Sequence, residues 1–509
     1  MLAASALAAC GGGGSVAPAP PPPPGGSDWQ QGVYLDADTF FAQCASPRAG
    51  SSDIQGTAID EKNFLRSYSN DTYLWYDQLP DIDPDNSDTP IQYFDRITVG
   101  PPTDNFHFTF DTEEWEQLSQ SGVSAGYGAQ FAVLSSAPPR QIVVAYTEPN
   151  SPATNLPMPL ERGADFISAD GVSVINGDAN ALNAAFFPAN AGEQHMFEVL
   201  DVGAANSRMV SMTSANIVSA PVLNTQVIDT GIDRVGYMLF NDHIATAEQA
   251  LIDAVNQLNA GQGIDDLVLD IRYNGGGFLA TASQLAYMIA GDIPTAGETF
   301  ELTQFNDKHP ATDPVTGQPI SPLPFLDITL GPPFNGNGGV AGQPLPTLDL
   351  PRVYVITGPG TCSASEAIMN SLRGVDVEVI QIGSTTCGKP YGFYPTDNCG
   401  TTYFTVQFRG INAKNFGDYT DGFRPSAADD GMANVLGCVV SDDFTKPLGD
   451  VSENRLEVAL AHRDGQGCIT PAAVVGPGQL SKTGAPLWAT DGIVPKSPWQ
   501  TNRIMRPRQ

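Results

Sequence analysis

The spacing of apolar and polar positions changes character along the chain. Residues 27–118 are polar with helical spacing. In "DEKNFLRSYSNDTYLWYDQLP" the apolar positions Phe64, Leu65, Tyr68, Tyr73, Leu74 and Trp75 fall on one helix face, with a break expected near Asn70. "TPIQYFDRI" starts a further helix at Thr89-Pro90, since proline is pre-set for a first helical turn. These aromatics read as core. From Gly126 the pattern becomes strand-like: "GYGAQFAVL", "RQIVVAYTEPNSPATNL" and "LERGADFISADGVSVI" are separated by turn residues. From about residue 225 strands and helices alternate. "DRVGYMLF" reads as a strand, and "TAEQALIDAVNQLNAG" as a helix with Ala250, Leu251, Ala254 and Leu258 on one face and Gly261 at its end. "DDLVLDIRYNGGGFLATASQLAYMIAG" and "LPRVYVITGPGTCSASEAIMNSLRG" each give a buried strand, a turn and a helix. "DVEVIQIGSTTCGKPYG" gives another strand and turn. Such alternation predicts a sheet with helices packed on it. Residues 300–350, rich in Pro and Gly, read as a long loop insertion.

The expected architecture is therefore α+β and multidomain. Residues 1–26 form a tether, 27–118 a helical N-terminal region, 119–218 a β-rich domain, 219–430 an α/β domain and 431–509 a C-terminal extension. A chain of 509 residues, 41% of them hydrophobic, can fill several cores of this kind.

Composition narrows the function. Against 24 basic side chains stand 56 acidic ones, a formal net charge of -32. That argues against nucleic acid, which needs clustered Lys and Arg, and the acidity reads as solubility. Histidine is scarce and no CxxC occurs, so neither a metal site nor a cofactor is expected. The start, "MLAASALAAC", resembles the end of a bacterial lipoprotein signal with Cys10 as the lipidated residue, although a positively charged start is missing. The "GGGGSVAPAPPPPPGGSD" that follows reads as a tether with nothing to bury. No later run approaches the ~18 apolar residues of a spanning helix. Apart from Cys10 there are six cysteines, an even number that suggests disulfides in an exported chain. Cys387 and Cys399 flank a possible hairpin, and Cys438 and Cys468 flank a late insertion. Cys44 and Cys362 are left to each other.

Three strand-ending turns carry candidate chemistry. Asp270-Ile271-Arg272-Tyr273-Asn274-Gly275-Gly276-Gly277 can aim backbone N–H groups at a ligand, as an oxyanion hole does. Packing is the other reading; the spacing is not that of a P-loop or a dinucleotide fingerprint. Thr361-Cys362-Ser363-Ala364-Ser365-Glu366 places a serine at a helix N-terminus, where partial positive charge favours a developing anion. Ser363 followed three residues on by Glu366 equally fits a capping box. Cys387-Gly388-Lys389-Pro390-Tyr391-Gly392 holds a lysine among small residues, and a buried lysine can act as a neutral base. If the Ser363 and Lys389 strands are parallel neighbours, both turns reach one sheet edge. With the glycine turn they would supply nucleophile, base and oxyanion donors.

Taken together, "D-x-R-x-N-x-G-G", "S-A-S-E" and "G-K" resemble the tail-specific, or carboxyl-terminal processing, serine peptidases over roughly residues 55–430. The resemblance implies a PDZ-like domain before an α/β catalytic domain of the tail-specific protease type. The glycine-flanked aromatic loop of the PDZ-like part is Gly126-Tyr127-Gly128, the peptide-binding candidate. Ser151-Pro152-Ala153 would start a helix, and Arg162-Gly163-Ala164-Asp165-Phe166-Ile167 would lead a strand, with Ala164 as an insertion. A PDZ domain captures a peptide by adding it to a sheet edge. The resemblance further implies Ser363 rather than Ser365 as nucleophile and Lys389 as base. It makes the N–H groups of Gly276 and Ala364 the oxyanion donors, with Arg272, Asn274, Ser365 and Glu366 supporting.

The chain departs from the pattern at Phe393, where some members carry an orienting Gln, and at Pro390, where many carry Gly. Tricorn-like relatives use a histidine as base, and His243 lies near such a region but past the strand. "GINAKNFGDYTDGFRPS" resembles the end of the catalytic domain in a lipoprotein subgroup. The expected partners are proteins or peptides with free C-termini, and a membrane through a lipid anchor only. The expected location is the bacterial cell envelope, with Gly11 pointing to the outer membrane. The competing expectation is a non-catalytic periplasmic binder on the same fold. Cys362 is adjacent to Ser363, so a disulfide there would pin the serine turn.

Overall fold

The protein is described by a computed structural model covering residues 29–334, 339–471 and 503–504; Cys10 and its tether lie outside these residues. Its centre is a seven-stranded sheet in the order Val222–Asp229, Arg234–Phe240, Asp266–Asp270, Arg352–Thr357, Glu378–Gly383, Asn434–Val439, Arg424–Ser426. Only the first pair is antiparallel. Asp266–Asp270 is buried throughout and Arg352–Thr357 nearly so, as expected for parallel strands covered on both faces. Helices Ala247–Leu258, Leu279–Ala290 and Ala364–Gly374 pack into one core, with Leu251, Leu285, Ile368 and Met369 inside it. The opposite face is covered by helix Asn454–Arg463, through Leu456 and Ala459, and by strands of the β-rich unit, through Ala132 and Val143.

That arrangement alters the reading of residues beyond 430. They do not simply extend the domain: Asn434–Val439 is a strand of the sheet, paired in parallel with Glu378–Gly383. Its alternating burial places Val435 and Cys438 in the cores.

In the N-terminal region helix Ala58–Thr72 begins at a Thr57/Asp60 capping box and runs unbroken past Asn70 to an extended Tyr73. The break expected at Asn70 does not occur; Asn70 accepts hydrogen bonds from Lys308 Nζ instead. An outward-facing Asn costs a helix little. Helix Pro90–Ile97 starts at the Thr-Pro pair, capped by Thr89 and Gln92. The strand Phe108–Asp111 docks this region by pairing with Thr401–Phe404.

The β-rich unit hangs on a two-stranded neck, Val123–Gly126 against Ala215–Val218. Its antiparallel sheet runs Arg208–Thr213, Gln194–Leu200, Asp165–Ala169, Gln141–Thr147, Ala129–Ser135, so Ala129–Ser135 is an edge. Helix Ala179–Phe186 packs on it around Phe131, Phe166, Phe186 and Phe197. No helix starts at Ser151-Pro152-Ala153. Those residues form turns, with the Ala153 N–H donating to Tyr127 O and the Thr154 Oγ1 accepting from the Ser151 N–H.

The disulfides are Cys44–Cys399, Cys362–Cys387 and Cys438–Cys468. Only the last was expected. Cys399 sits in the turn between Thr396–Asn398 and Thr401–Phe404, the ladder that receives the N-terminal region, and so meets Cys44. Cys362 and Cys387 end neighbouring parallel strands and so meet each other. Among the described residues no helix is long and apolar enough to cross a membrane.

Candidate active site

Arg352–Thr357 and Glu378–Gly383 are parallel neighbours, so the turns that follow them lie side by side. Ser363 stands at the first of these, immediately before helix Ala364–Gly374, fully buried, with φ +61 and ψ −112. A left-handed backbone at a non-glycine residue costs about 1–3 kcal/mol and persists where surrounding contacts over-determine it. It is the strand-to-helix elbow that thrusts a serine Oγ to the end of a helix.

Glu366 supplies those contacts. Its buried carboxylate accepts from the Ser363 N–H (2.8 Å), the Lys389 N–H (2.9 Å), the Gly388 N–H (2.8 Å) and the Thr386 hydroxyl (2.6 Å). A single oxygen, Oε2, receives both the Ser363 and the Lys389 amides. The Ser363–Glu366 spacing thus forms the cap, and the same carboxylate also reaches the lysine turn. Burial raises the pKa of Glu366, against the lowering effect of the Thr386 hydroxyl and the three N–H donors.

Asn274 links the glycine turn to the serine turn. Its backbone carbonyl accepts from the Cys362 N–H (3.1 Å) and the Ser365 hydroxyl (3.0 Å). Its side-chain amide donates to Phe240 O, which leaves Oδ1 facing the Gly276 N–H (3.0 Å) and His243 Nδ1 (2.9 Å). The proton between Asn274 and His243 is therefore on Nδ1. The Gly276 N–H is held by Asn274 here, which is not the geometry of a waiting oxyanion donor. Gly277, at φ +133, passes so close to His243 that a Cβ would lie 2.6 Å from the His243 carbonyl oxygen. Ala364 is the first residue of the serine helix and fully buried.

Lys389 is buried, with Nζ over the rings of Phe106 (5.0 Å) and Phe393 (4.8 Å). At Phe393, four residues after Lys389, the amine meets an aromatic face and not an orienting amide.

Arg272 has another task. Its buried guanidinium meets Asp270 (2.8 Å), Asp442 (2.6 Å) and Glu453 (2.9 Å). Asp442 also binds Arg162 of the β-rich unit (2.6 Å) and the Tyr273 hydroxyl (2.6 Å). Arg162 leads into the strand Asp165–Ala169 as expected, and its side chain is in addition a fastener between units. No local pattern flagged Asp442 or Glu453, which lie far along the chain. Burial pushes Asp442 up, but the arginines 162, 455 and 272 outweigh it and hold the carboxyl well below its usual range.

Gly126, Tyr127 and Gly128 line a groove of about 510 Å³ with Gln130, Phe131 and Phe187. Tyr127 itself is buried, donating its hydroxyl to Ala185 O (2.9 Å). Gly126 pairs with Ala215, and Gly128 suits a glycine twice over: its backbone is left-handed at φ +71, and a Cβ there would lie 2.1 Å from the Ser151 Cβ.

Residues 234–396 match the model for peptidase family S41, and residues 60–109 match the peptidase S41 N-terminal domain. Both stretches are thus similar to domains of peptidase family S41, in the order N-terminal domain then peptidase domain. It is 26% identical to a carboxyl-terminal-processing protease of Picosynechococcus sp. over 273 residues, 54% of this chain. The chain spans about half (56%) of that relative's length. A solved structure from Bacteroides fragilis NCTC 9343, assigned as an S41 protease, shares the fold at a TM-score of 0.58 and 22% identity. That match covers 79% of this chain and 97% of the other. The photosystem II D1 C-terminal processing protease aligns at a TM-score of 0.41 and 17% identity, over 74% of this chain and 94% of the other.

Proposed function

We propose that the protein is a serine endopeptidase that cleaves exported proteins near their C-termini through Ser363 and Lys389. The observation that carries this reading is the shared Glu366 oxygen, which fixes a left-handed serine elbow and a buried lysine turn to one point. Lys389, as the neutral amine, takes the Ser363 proton while Oγ attacks the peptide carbonyl. The oxyanion is held by the Ala364 N–H and by the Gly276 N–H, which turns to it from Asn274 Oδ1. Protonated Lys389 then gives its proton to the leaving amine, and water releases the acyl group.

An extended substrate has a place to lie. Gly277–Phe278, next to Gly276, pairs in parallel with Arg503–Ile504, and an extended substrate would take that pairing in place of the chain's own segment. The preference for C-termini rests on the kinship with a carboxyl-terminal-processing protease. The groove beside Ala129–Ser135, an unpaired PDZ-like edge, is the place for the substrate tail. A lipid on Cys10 would hold the enzyme to the cell envelope, on the periplasmic or surface side of the outer membrane.

The test is cleavage of a peptide with a free apolar carboxyl terminus. Ser363→Ala is expected to lower kcat by about 10⁴-fold or more. Full activity in that variant would remove the assignment and favour a non-catalytic binder.

A further inference from the structure

We propose that the Cys362–Cys387 disulfide is a positioning device for the dyad, and that turnover depends on its being closed. The inference rests on Ser363 and Lys389 as nucleophile and base. Cys362 precedes Ser363 directly, and Cys387 lies two residues before Lys389. The bond therefore crosslinks the two turns that carry the dyad, across neighbouring parallel strands. Each remaining tie between these turns is non-covalent. The Cys387 N–H donates to Thr361 O (3.0 Å), and the Glu366 carboxylate collects the Ser363, Gly388 and Lys389 amides.

The sulfur and the carboxylate are neighbours: Cys387 Sγ lies 3.5 Å from Glu366 Oε2, the oxygen shared by the Ser363 and Lys389 amides. Cys362, Cys387 and Glu366 are the one cluster of metal-ligand type among the described residues, and two of its members are bonded to each other. Opening the bond does two things at once. It removes the covalent span between the turns, and it leaves an S–H donor competing for Oε2. Both let the Ser363 and Lys389 turns drift, and a shift of about 1 Å at a reacting group can cost 10²-fold in rate.

The chemistry balances with a dithiol as reductant. One dithiol thiolate attacks the Sγ of the partly buried Cys387, the S–S bond breaks, and Cys362 leaves as a thiol after taking a proton. The second dithiol sulfur then resolves the mixed disulfide. Two electrons and two protons pass to the protein, and the reductant becomes a disulfide. Cys438–Cys468 also has an exposed member, Cys468, so reduction alone does not single out one bond.

The experiment uses the full chain carrying Cys438→Ala and Cys468→Ala, with dithiothreitol as the dithiol. It reads kcat and KM for the tail peptide, the rate at which a fluorophosphonate labels Ser363, and far-UV circular dichroism. Reduction is expected to lower kcat and the labelling rate at least tenfold, with KM nearly unchanged and the spectrum retained. Reoxidation should restore both rates. Adding Cys362→Ala and Cys387→Ala should give the same slow kcat and abolish sensitivity to the reductant. A wild-type kcat in that variant, or sensitivity to dithiothreitol that survives it, overturns the proposal. So does a rise in KM alone, which would describe a loosened groove. If Ser363→Ala keeps its activity, the dyad reading has failed; if Ser363→Ala is dead while reduction changes nothing, only the disulfide proposal has.

Discussion

Two buried carboxylate clusters flank the same sheet, and they are built on opposite principles. Around Arg272, the carboxylates of Asp270, Asp442 and Glu453 meet guanidinium groups at 2.6–2.9 Å, and Arg162 ties the β-rich unit into the cluster. At the candidate active site Glu366 meets no cation in ion-pair contact among the described residues; it gathers backbone N–H groups and a hydroxyl. The arginines drive Asp442 down despite burial, whereas burial prevails at Glu366 and leaves it raised. Charge against charge makes a fastener between units. Charge against amides fixes backbone geometry, which is what a nucleophile elbow and a base turn require, without setting a permanent cation beside the reaction.

Arg272→Met leaves three carboxylates without their main partner and should lower stability by about 3–5 kcal/mol in urea denaturation. The folded fraction should keep wild-type labelling of Ser363. Loss of labelling with full stability would merge the two clusters into one function. Glu366→Gln keeps the volume but turns an amide donor toward atoms that also donate. It should cost about 1–3 kcal/mol and about 10²-fold in kcat, a much larger effect on rate than on fold. Gly277→Ala forces a Cβ against the His243 carbonyl at a left-handed backbone position. It should cost about 1–3 kcal/mol, with kcat falling more than KM rises.

Acid should separate the clusters most finely. Glu366 has a raised pKa, so on acidification it takes its proton earlier than an ordinary glutamate, and that uptake favours the folded state. Asp442 has a lowered pKa, so its stabilisation is present above the ordinary aspartate range and is lost only as pH falls through the depressed value. Hydrogen-exchange protection of the Ser363, Gly388 and Lys389 amides, corrected for intrinsic rates, should therefore hold or rise as pH falls through the ordinary glutamate range, and the joint between the units should weaken only at lower pH, as Asp442 takes its proton. Loss of that protection while the units stay joined would contradict the pKa directions.

Much of this was legible in the sequence because the central sheet announces itself locally. "DDLVLDIR", "PRVYVITG" and "VEVIQIG" are apolar runs ending in unusual turns, and parallel neighbours put such turns together. The S-x-x-E spacing revealed half of what Glu366 does, since capping is a local event. Its reach to Gly388 and Lys389 is tertiary and left no trace in spacing. The same limit explains the disulfides. Cys387 and Cys399 are close in sequence, but the strand order sends one to Cys362 and the other to Cys44. Arg272 stood inside a recognisable motif, yet its partners Asp442 and Glu453 come from a segment read as an extension. The Gly126–Gly128 loop was located by its residues, while the burial of Tyr127 depends on Ala185 and Phe197 from distant elements.

The central claim is that Ser363 is activated by Lys389. It is tested most directly by the rate at which a fluorophosphonate labels Ser363, followed by mass spectrometry in the wild type and in Lys389→Ala. Selective labelling of Ser363 in the wild type and a rate at least 100-fold lower in Lys389→Ala are predicted. An unreactive wild-type Ser363, or undiminished labelling without the lysine, would contradict it.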